Sequence, residues 1–513
     1  MKEMNLHLTI RQVHKGKKVL PWILAFLACT MVGYAQNSSY NTNTIPIGGT
    51  FSTAFGFGVL SSNTGSNNTG SGVYSLNSNT SGTGNTGTGT STLRLNSTGI
   101  NNTANGHDAL YYNNGSGNSA YGASSLFYNT TGSSNTANGY SSLYSNTTGV
   151  NNTASGYQSL FFNTTGNSNT ANGALSLYSN TTGSSNTAIG IASLYGNTTG
   201  NNNSANGFNS LSYNTTGSSN TANGSNSLYF NTTGSSNTAN GYSSLYSNTT
   251  GINNTASGFQ SLFFNTTGYS NTANGMLSLN YNTTGYSNSA NGVSSLFSNT
   301  SGSNNTALGY SSLFNNTTGS NNTALGDSAG YLSIGNKNVF LGNLAGYYET
   351  TSSNKLYIGN DSNKTILYGD FSTGQVLMGK GNPTGYTFKG TRTLNVLGGI
   401  IADSMRVALV SGWADYVFAD DYKLKPLEEV GKYIKANKHL PNIPSSGEVA
   451  RNGIELGSMD AKLLEKIEEL HLYILRQQKQ IEQQEKQNEE QNKSIEMLQK
   501  QVEELNRYIR KSE

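Results

Sequence analysis

Between Tyr121 and Asp327 the sequence returns to itself every 17 residues. Leucine keeps that step without a slip through twelve copies, from Leu126, Leu143 and Leu160 to Leu313. Alanine keeps it from Ala120 to Ala324, and glycine from Gly122 to Gly326. A typical unit, Asn129 to Ser145, reads Asn-Thr-Thr-Gly-Ser-Ser-Asn-Thr-Ala-Asn-Gly-Tyr-Ser-Ser-Leu-Tyr-Ser. Upstream, residues 36–118 hold degraded versions such as Asn102-Thr103-Ala104-Asn105-Gly106, one residue out of step. So short and regular a period implies a stacked array in which each unit touches only its neighbours.

The unit reads as β rather than helical. Its two fixed glycines and its Asn-Gly or Ser-Gly pairs break helices and mark turns. Runs such as Ser142-Leu143-Tyr144 have the aromatics and the alternation of a short strand. Two turns and two short strands describe one coil of a parallel β-roll, with identical side chains stacked about 4.8 Å apart. The expected core of a coil is one Leu, one Ala and sometimes an aromatic. That is too thin for a lone unit to fold, so stacking is obligatory, and association of several chains would bury the remaining aromatics. Composition agrees. Only 34% of residues are apolar, but a net charge of +3 with 31 Tyr and 18 Phe is unlike a disordered chain.

Lys15, Lys17 and Lys18 precede an apolar run from Val19 to Val32, followed by Gly33-Tyr34-Ala35. This pattern predicts an export signal over residues 1–35, cleaved before Gln36, and a secreted or cell-surface protein. The run is short for a membrane anchor and contains Pro21. The single cysteine, Cys29, lies inside it; Leu27-Ala28-Cys29 gives lipidation as the alternative. After cleavage at Ala35 the chain has neither a disulfide nor a thiol nucleophile.

From Ala109 to Gly326 there is no Asp, Glu, Lys, Arg or His. Acid–base catalysis, metal ligation and phosphate tracking all need such groups, so the repeats are expected to carry no catalytic site, metal or cofactor, and to bind no nucleic acid. Outside the repeats, Asp420, Asp421 and Lys423 read as a solvated turn and His439 as a structural residue. The expectation is a chain that is not an enzyme.

After Gly330 the composition changes. Residues 331–400 read as a β-rich shaft and neck, with strands at Leu356-Tyr357-Ile358, Thr365-Ile366-Leu367-Tyr368 and Thr393-Leu394-Asn395-Val396. Residues 401–459 read as a small α+β segment. Residues 460–513 read as a coiled coil. With Ile467 at a, the a positions include Ile474, Ile481, Asn488, Ile495, Val502 and Ile509, and the d positions include Leu463, Leu470, Leu498 and Leu505. Gln477, Gln484 and Gln491 fill the other d positions. Ile at a with Leu at d, and Asn488 at a, suit two strands.

Two features of the repeat invite a surface role. An aromatic follows the leucine in ten of twelve copies: Phe127, Tyr144, Phe161, Tyr178, Tyr195, Tyr229, Tyr246, Phe263, Phe297 and Phe314. With leucine inward, alternation points this stripe outward, for packing against neighbouring chains or for binding a glycan or host protein. The Asn-Thr-Thr triplets, such as Asn129-Thr130-Thr131, read as turn chemistry. They also match the N-glycosylation sequon and would present a regular hydroxyl array of the kind an ice-binding face uses.

The unit Asn305-Thr306-Ala307-Leu308-Gly309-Tyr310-Ser311-Ser312-Leu313 resembles the head repeats of YadA-like trimeric autotransporter adhesins, over about residues 100 to 345. The resemblance implies parallel β-rolls from three chains side by side, which favours a trimer over the dimer. Those adhesins end in a membrane-anchoring β-barrel segment, whereas this chain ends in the charged helix Asn506 to Glu513. The stretch Trp413 to Leu475, with Tyr416-Val417-Phe418 and His439-Leu440-Pro441-Asn442-Ile443-Pro444, resembles the C-terminal region of bacterial tail-fibre-like proteins. It lacks the Ser-Asp-x-Arg-x-Lys pattern of their self-cleaving chaperones. The expectation is an exported adhesive or structural fibre, homo-oligomeric through its coiled coil. A monomeric solenoid binding ice or polysaccharide is the alternative.

Overall fold

A computed structural model describes residues 37–40, 49–381, 386, 388, 391–407 and 413–512. The export segment and Cys29 lie outside the described residues. The chain divides into two units, one ending at Gly399 and one spanning Ile400–Glu513.

The first unit is a parallel β-solenoid of about twenty coils, with strands running from Asn37–Tyr40 and Ser52–Phe55 to Lys355–Gly359. At the ~4.8 Å spacing of paired strands, its long axis is roughly 90 Å. Each repeat contributes one three-residue strand such as Thr136–Asn138, paired in register with the next so that Thr136 faces Thr153 and Ala137 faces Ala154. The central alanine points inward and is fully buried.

Here the expected second strand is corrected. Ser142-Leu143-Tyr144 is not extended, because Ser141 and Leu143 both adopt left-handed dihedrals, with φ of 51°. Two such residues one apart curl the chain around the core while keeping its bonds between coils: Leu143 N–H donates to Ser159 O at 2.9 Å, and Ser145 N–H to Phe161 O at 2.9 Å. A left-handed leucine is strained, at a cost on the order of 1–2 kcal/mol. Full burial of the side chain contributes roughly 1.5–3 kcal/mol and offsets it.

The core is also more polar than expected. Besides Leu143 and Ala137, a typical coil buries a serine (Ser142) and two asparagines (Asn146 and Asn152), all with no exposed surface. The asparagines form two axial ladders. In the first, Asn146 Nδ2 donates to Asn129 Oδ1 of the preceding coil at 2.7 Å and to Gly149 O of its own corner at 3.1 Å. In the second, Asn152 donates from its backbone N–H (3.0 Å) and from Nδ2 (3.1 Å) to Asn135 Oδ1, and from Nδ2 to Gly166 O at 2.8 Å. Buried amides cost little only when every donor and acceptor is matched, and stacking identical coils supplies that match automatically.

The degraded upstream repeats belong to the same solenoid. Three coils are one residue shorter, between Thr53 and Thr69, Thr103 and Ser119, and Thr323 and Val339. All three lose the residue at one corner, where Asn63-Thr64-Gly65, Asn113-Asn114-Gly115 and Ser333-Ile334-Gly335 replace Asn-Thr-Thr-Gly. Asn113 still donates to Asn96 Oδ1 and Gly115 O, each at 2.9 Å. The corner shortens and the core register survives.

The first ladder stops where Ser333 replaces asparagine, leaving Asn316 Oδ1 buried without a hydrogen-bond partner. Ser333→Asn should restore the missing donor, as Asn113 does in an equally short coil. We expect it to stabilise the solenoid by about 1 kcal/mol, read as a higher urea midpoint with unchanged slope.

Towards the C-terminal end the core is refilled with rings. Phe340 takes the alanine slot, and Gly330 and Gly346 take the leucine slots around it. A Cβ on either glycine would lie 2.6 or 2.3 Å from the Phe340 ring. The strands Thr365–Asp370 and Gln375–Gly381 then pair antiparallel beyond Lys355–Gly359. This edge buries Glu349, which accepts from Tyr357 Oη and, at 3.0 Å each, from the Thr350 and Ser352 N–H groups. Burial and the neighbouring carboxylate push the Tyr357 hydroxyl far up. Lys355 pairs with Asp370 across the hairpin at 2.7 Å.

Among its described residues the second unit contains a 3-10 turn at Ala414–Phe418 and three helices: α1, Leu427–Asn437; α2, Ser446–Asn452; and α3, Leu456–Ile509. Every element described within 401–459 is helical, which corrects the α+β expectation. Helix α2 opens on a capping box, Ser445 with Glu448. Helix α3 runs unbroken for 54 residues, about 81 Å at 1.5 Å per residue.

Candidate interaction surfaces

The residues after the repeat leucines form a ladder along one edge of the solenoid. Tyr111, Phe127, Tyr144, Phe161, Tyr178 and Tyr195 stack with centroids 4.9–5.4 Å apart. After Ser212 interrupts it, Tyr229, Tyr246 and Phe263 stack at 5.1 and 4.8 Å. After Asn280, Phe297, Phe314, Tyr331 and Tyr347 continue it at 4.9–5.0 Å. At each interruption the next residue supplies the ring: Tyr213 meets Tyr229 edge-on, and Tyr281 meets Phe297. Upstream, Arg94 occupies the ladder position and its guanidinium lies 4.8 Å from the Tyr74 ring and 5.7 Å from Tyr111.

All ten stripe residues expected from the sequence stand in this edge. They are half-buried rather than projecting, apart from Tyr195, which is 38% exposed. Burial among neighbours pushes the Tyr144 and Tyr229 hydroxyls up. A ring stacked on both sides has no free face on which a sugar could lie, so the ladder offers ring edges instead. Such a ridge suits packing against another protein surface.

A second aromatic column, more exposed than the first, is not evident from the sequence. It follows the glycine after each strand and includes Tyr140, Tyr157, Phe208, Tyr242, Phe259 and Tyr310. Tyr140 and Tyr157 stack at 5.7 Å, and six coils on Tyr242 and Phe259 stack at 5.5 Å. The signal was present, since the column keeps the 17-residue step, but varied occupants such as Ala174 and Ser225 hid it.

The Asn-Thr-Thr corners behave as turn chemistry. The first threonine is structural: Thr147 Oγ1 donates to Thr164 O at 3.0 Å. The second, as at Thr131, Thr148, Thr165 and Thr182, is exposed. The sequon asparagines themselves, Asn129 among them, are buried ladder residues, which puts their amides beyond reach of a glycosylating enzyme in the folded protein.

In the second unit, the residues assigned to a and d positions all stand exposed on α3: Leu463, Ile467, Leu470, Ile474, Ile481, Asn488, Ile495, Leu498, Val502, Leu505 and Ile509. The helix start is held by Glu465, which accepts from Lys466 and Tyr416 at 2.6 Å and from Asn442 at 3.2 Å. Burial opposes its charge, but these donors outweigh that and hold the Glu465 carboxyl below the usual range. Its hydrogen bond, then burial, pushes Tyr416 up to about 12. A depressed carboxylate contributes stability that is present above the ordinary glutamate value and lost as pH falls through the folded one. Docking of Ala414–Asn442 on α3 should therefore weaken below about pH 4.3. Near-ultraviolet circular dichroism of the tyrosines checks this, with Glu465→Gln removing the transition. The carboxylate-free coils between Ala109 and Gly326 should show no such transition.

Asp420, Asp421 and Lys423 lie exposed on a turn and its flank, and His439 packs edge-on against Tyr433. Among the described residues, no three His, Cys, Asp or Glu side chains are grouped so as to hold a metal ion, and no helix is long and apolar enough to cross a membrane. No protein family, curated protein or solved structure matches the chain.

Proposed function

We propose that this chain is an exported structural and adhesive fibre whose copies are joined through α3. The carrying observation is the heptad seam: a helix of 54 residues carries an Ile/Leu stripe, interrupted at Gln477, Gln484, Asn488 and Gln491, that stays exposed among the described residues. An amphipathic helix of this length is stabilised by burying that stripe, and a partner with the same heptad buries it best. The solenoid then serves as a stiff spacer and display surface. Its aromatic edge and the repeated Tyr140–Tyr157 and Tyr242–Phe259 pairs would meet a protein or matrix surface in many weak, multivalent contacts. The resemblance to YadA-like head repeats favours three copies, and the Ile/Leu distribution with Asn488 keeps two as the alternative. The export pattern at residues 1–35 supports placement outside the cell.

The test is molar mass in solution of residues 36–513 against a protein ending at Met459. An oligomer that falls to a monomer on losing α3 supports the reading; a monomer in both, or an unchanged oligomer, overturns it. A second reading rests on the exposed threonine column through Thr131, Thr148 and Thr165. It would make the solenoid a monomeric binder of ice or polysaccharide, and thermal hysteresis or a glycan-array signal from the monomer would favour it.

A further inference from the structure

Helix α1 carries Leu427, Val430 and Ile434 at helical spacing, and none of them is buried. They face Leu463, Ile467 and Leu470 of α3 across an open groove of about 580 Å³. Those three α3 residues are also the first layers of the heptad seam. The groove is thus the seam's own beginning, walled on one side by α1.

We infer that this groove receives the start of α3 from a second copy of the chain, so that α1 clamps the partner helix at the base of the coiled coil. The inference rests on the proposed association through α3 and adds where that association begins. Two observations choose a second copy over a foreign helix or a small apolar ligand. First, the groove is continuous with the seam, so a helix following the seam from Ile509 back to Leu463 must enter it. Second, beyond the groove, where Lys466 is already paired with Glu465 and Glu469 of its own helix, the positions flanking the seam are almost all neutral: Tyr473, Gln478, Gln480, Gln487, Gln499 and Gln501. Coiled coils that select a different partner use complementary charges there, whereas identical helices need flanks that do not repel. Only Glu485 carries a charge in these flanking positions between Ile474 and Tyr508.

The test compares the native chain with two doubly substituted variants by molar mass over a dilution series. Leu427→Asp with Ile434→Asp changes the groove wall and leaves the seam intact. Ile495→Asp with Leu498→Asp breaks the seam far from the groove. The inference expects the groove variant to associate at least tenfold more weakly, with its helical dichroism unchanged. Ile434→Ala, too mild to unfold α1, should shift association in the same direction. If the seam variant dissociates while both groove variants associate like the native chain, the clamp is wrong and the association through α3 stands. If the native chain is itself monomeric, both fall. An apolar dye such as anilinonaphthalene sulfonate separates the remaining occupant. Dye binding by the intact native oligomer that Leu427→Asp with Ile434→Asp abolishes would show the groove open to small ligands and overturn the inference.

Discussion

Gly207→Ala should open the solenoid at one coil while leaving both ends folded. Gly207 follows the strand Ser204–Asn206 at φ +139°, a conformation that side-chain-bearing residues rarely adopt. A Cβ there would point along the axis and sit 2.7 Å from both C and O of Gly224 in the next coil. Neither atom can move, because Gly224 N–H is itself bonded to Asn206 O at 2.8 Å and the same glycine recurs in every coil. The strained dihedral and the backbone overlap each cost about 1–3 kcal/mol, so the local loss is roughly 2–6 kcal/mol. In a solenoid, stability is a sum of units and neighbour interfaces, so the damage should stay near the substituted coil. Hydrogen exchange should show faster exchange around residues 190–224 and native protection near Leu126 and Leu313. Gly196→Ser is the control, since Ser145 and Ser179 occupy the equivalent position in other coils. Equal protection in both variants would mean that the coils do not approach as closely as described.

Why the axial stack was legible and the path of the coil was not follows from what a period reports. Twelve leucines in strict step with alanine and glycine fix how many residues lie in a coil and that identical residues stack. They do not fix dihedral angles within it. Ser142-Leu143-Tyr144 has the composition of a strand, but closing a coil in 17 residues demands tight curvature, and left-handed Ser141 and Leu143 provide it. Local propensity lost to closure. The asparagines failed for a different reason. Asn129 to Asn316 and Asn135 to Asn322 keep the step as strictly as leucine does, but a polar residue beside Gly and Thr is normally assigned to a surface turn. Only in a stack does an amide find its partner in its own copy one coil away, and a single repeat does not display that partner.

The candidate surfaces divide the same way. The stripe after leucine was legible because it stays aromatic in ten copies, and the heptad on α3 because Ile and Leu recur over six repeats. What the pattern could not give was ring orientation. Facing inward or outward is a property of alternation, whereas stacking with interplanar angles as low as 2° comes from the inter-coil spacing. That spacing turns ten separate aromatics into a ridge of edges and removes the free faces that a sugar platform requires. The groove beside α1 was hidden for a third reason: Leu427, Val430 and Ile434 lie more than 28 residues before Leu463, and no repeat or heptad ties them to the seam.

Asn220→Asp should convert a satisfied ladder into a pH-dependent defect of almost unchanged shape. Asn220 is fully buried; its Nδ2 donates to Asn203 Oδ1 at 3.2 Å and to Gly234 O at 2.8 Å, and its Oδ1 accepts from the Asn237 N–H at 3.0 Å. Aspartate keeps the acceptor and replaces the donor with a second oxygen, which then faces two acceptors. An ionised carboxylate with acceptors on that side and no cation from Ala109 to Gly326 has no compensation, so its folded pKa must rise above the ordinary value of about 3.9. A raised carboxyl means that the folded form binds more protons, so stability falls as pH increases through the unfolded and folded values. At pH 7 the expected loss is about 3–5 kcal/mol, the scale of an uncompensated buried charge. Towards pH 4 the protonated acid can donate to Gly234 O, and most of that loss should return. Asn223→Asp, exposed at the end of the adjoining strand Thr221–Asn223, loses only a solvent-exposed hydrogen bond to Asn240 Oδ1 and should cost less than about 1 kcal/mol at either pH. Urea unfolding at pH 4 and pH 7 measures all of these. A pH-independent Asn220→Asp variant would mean that the ladder position reaches water, and the account of the core as a matched stack of amides would not survive it.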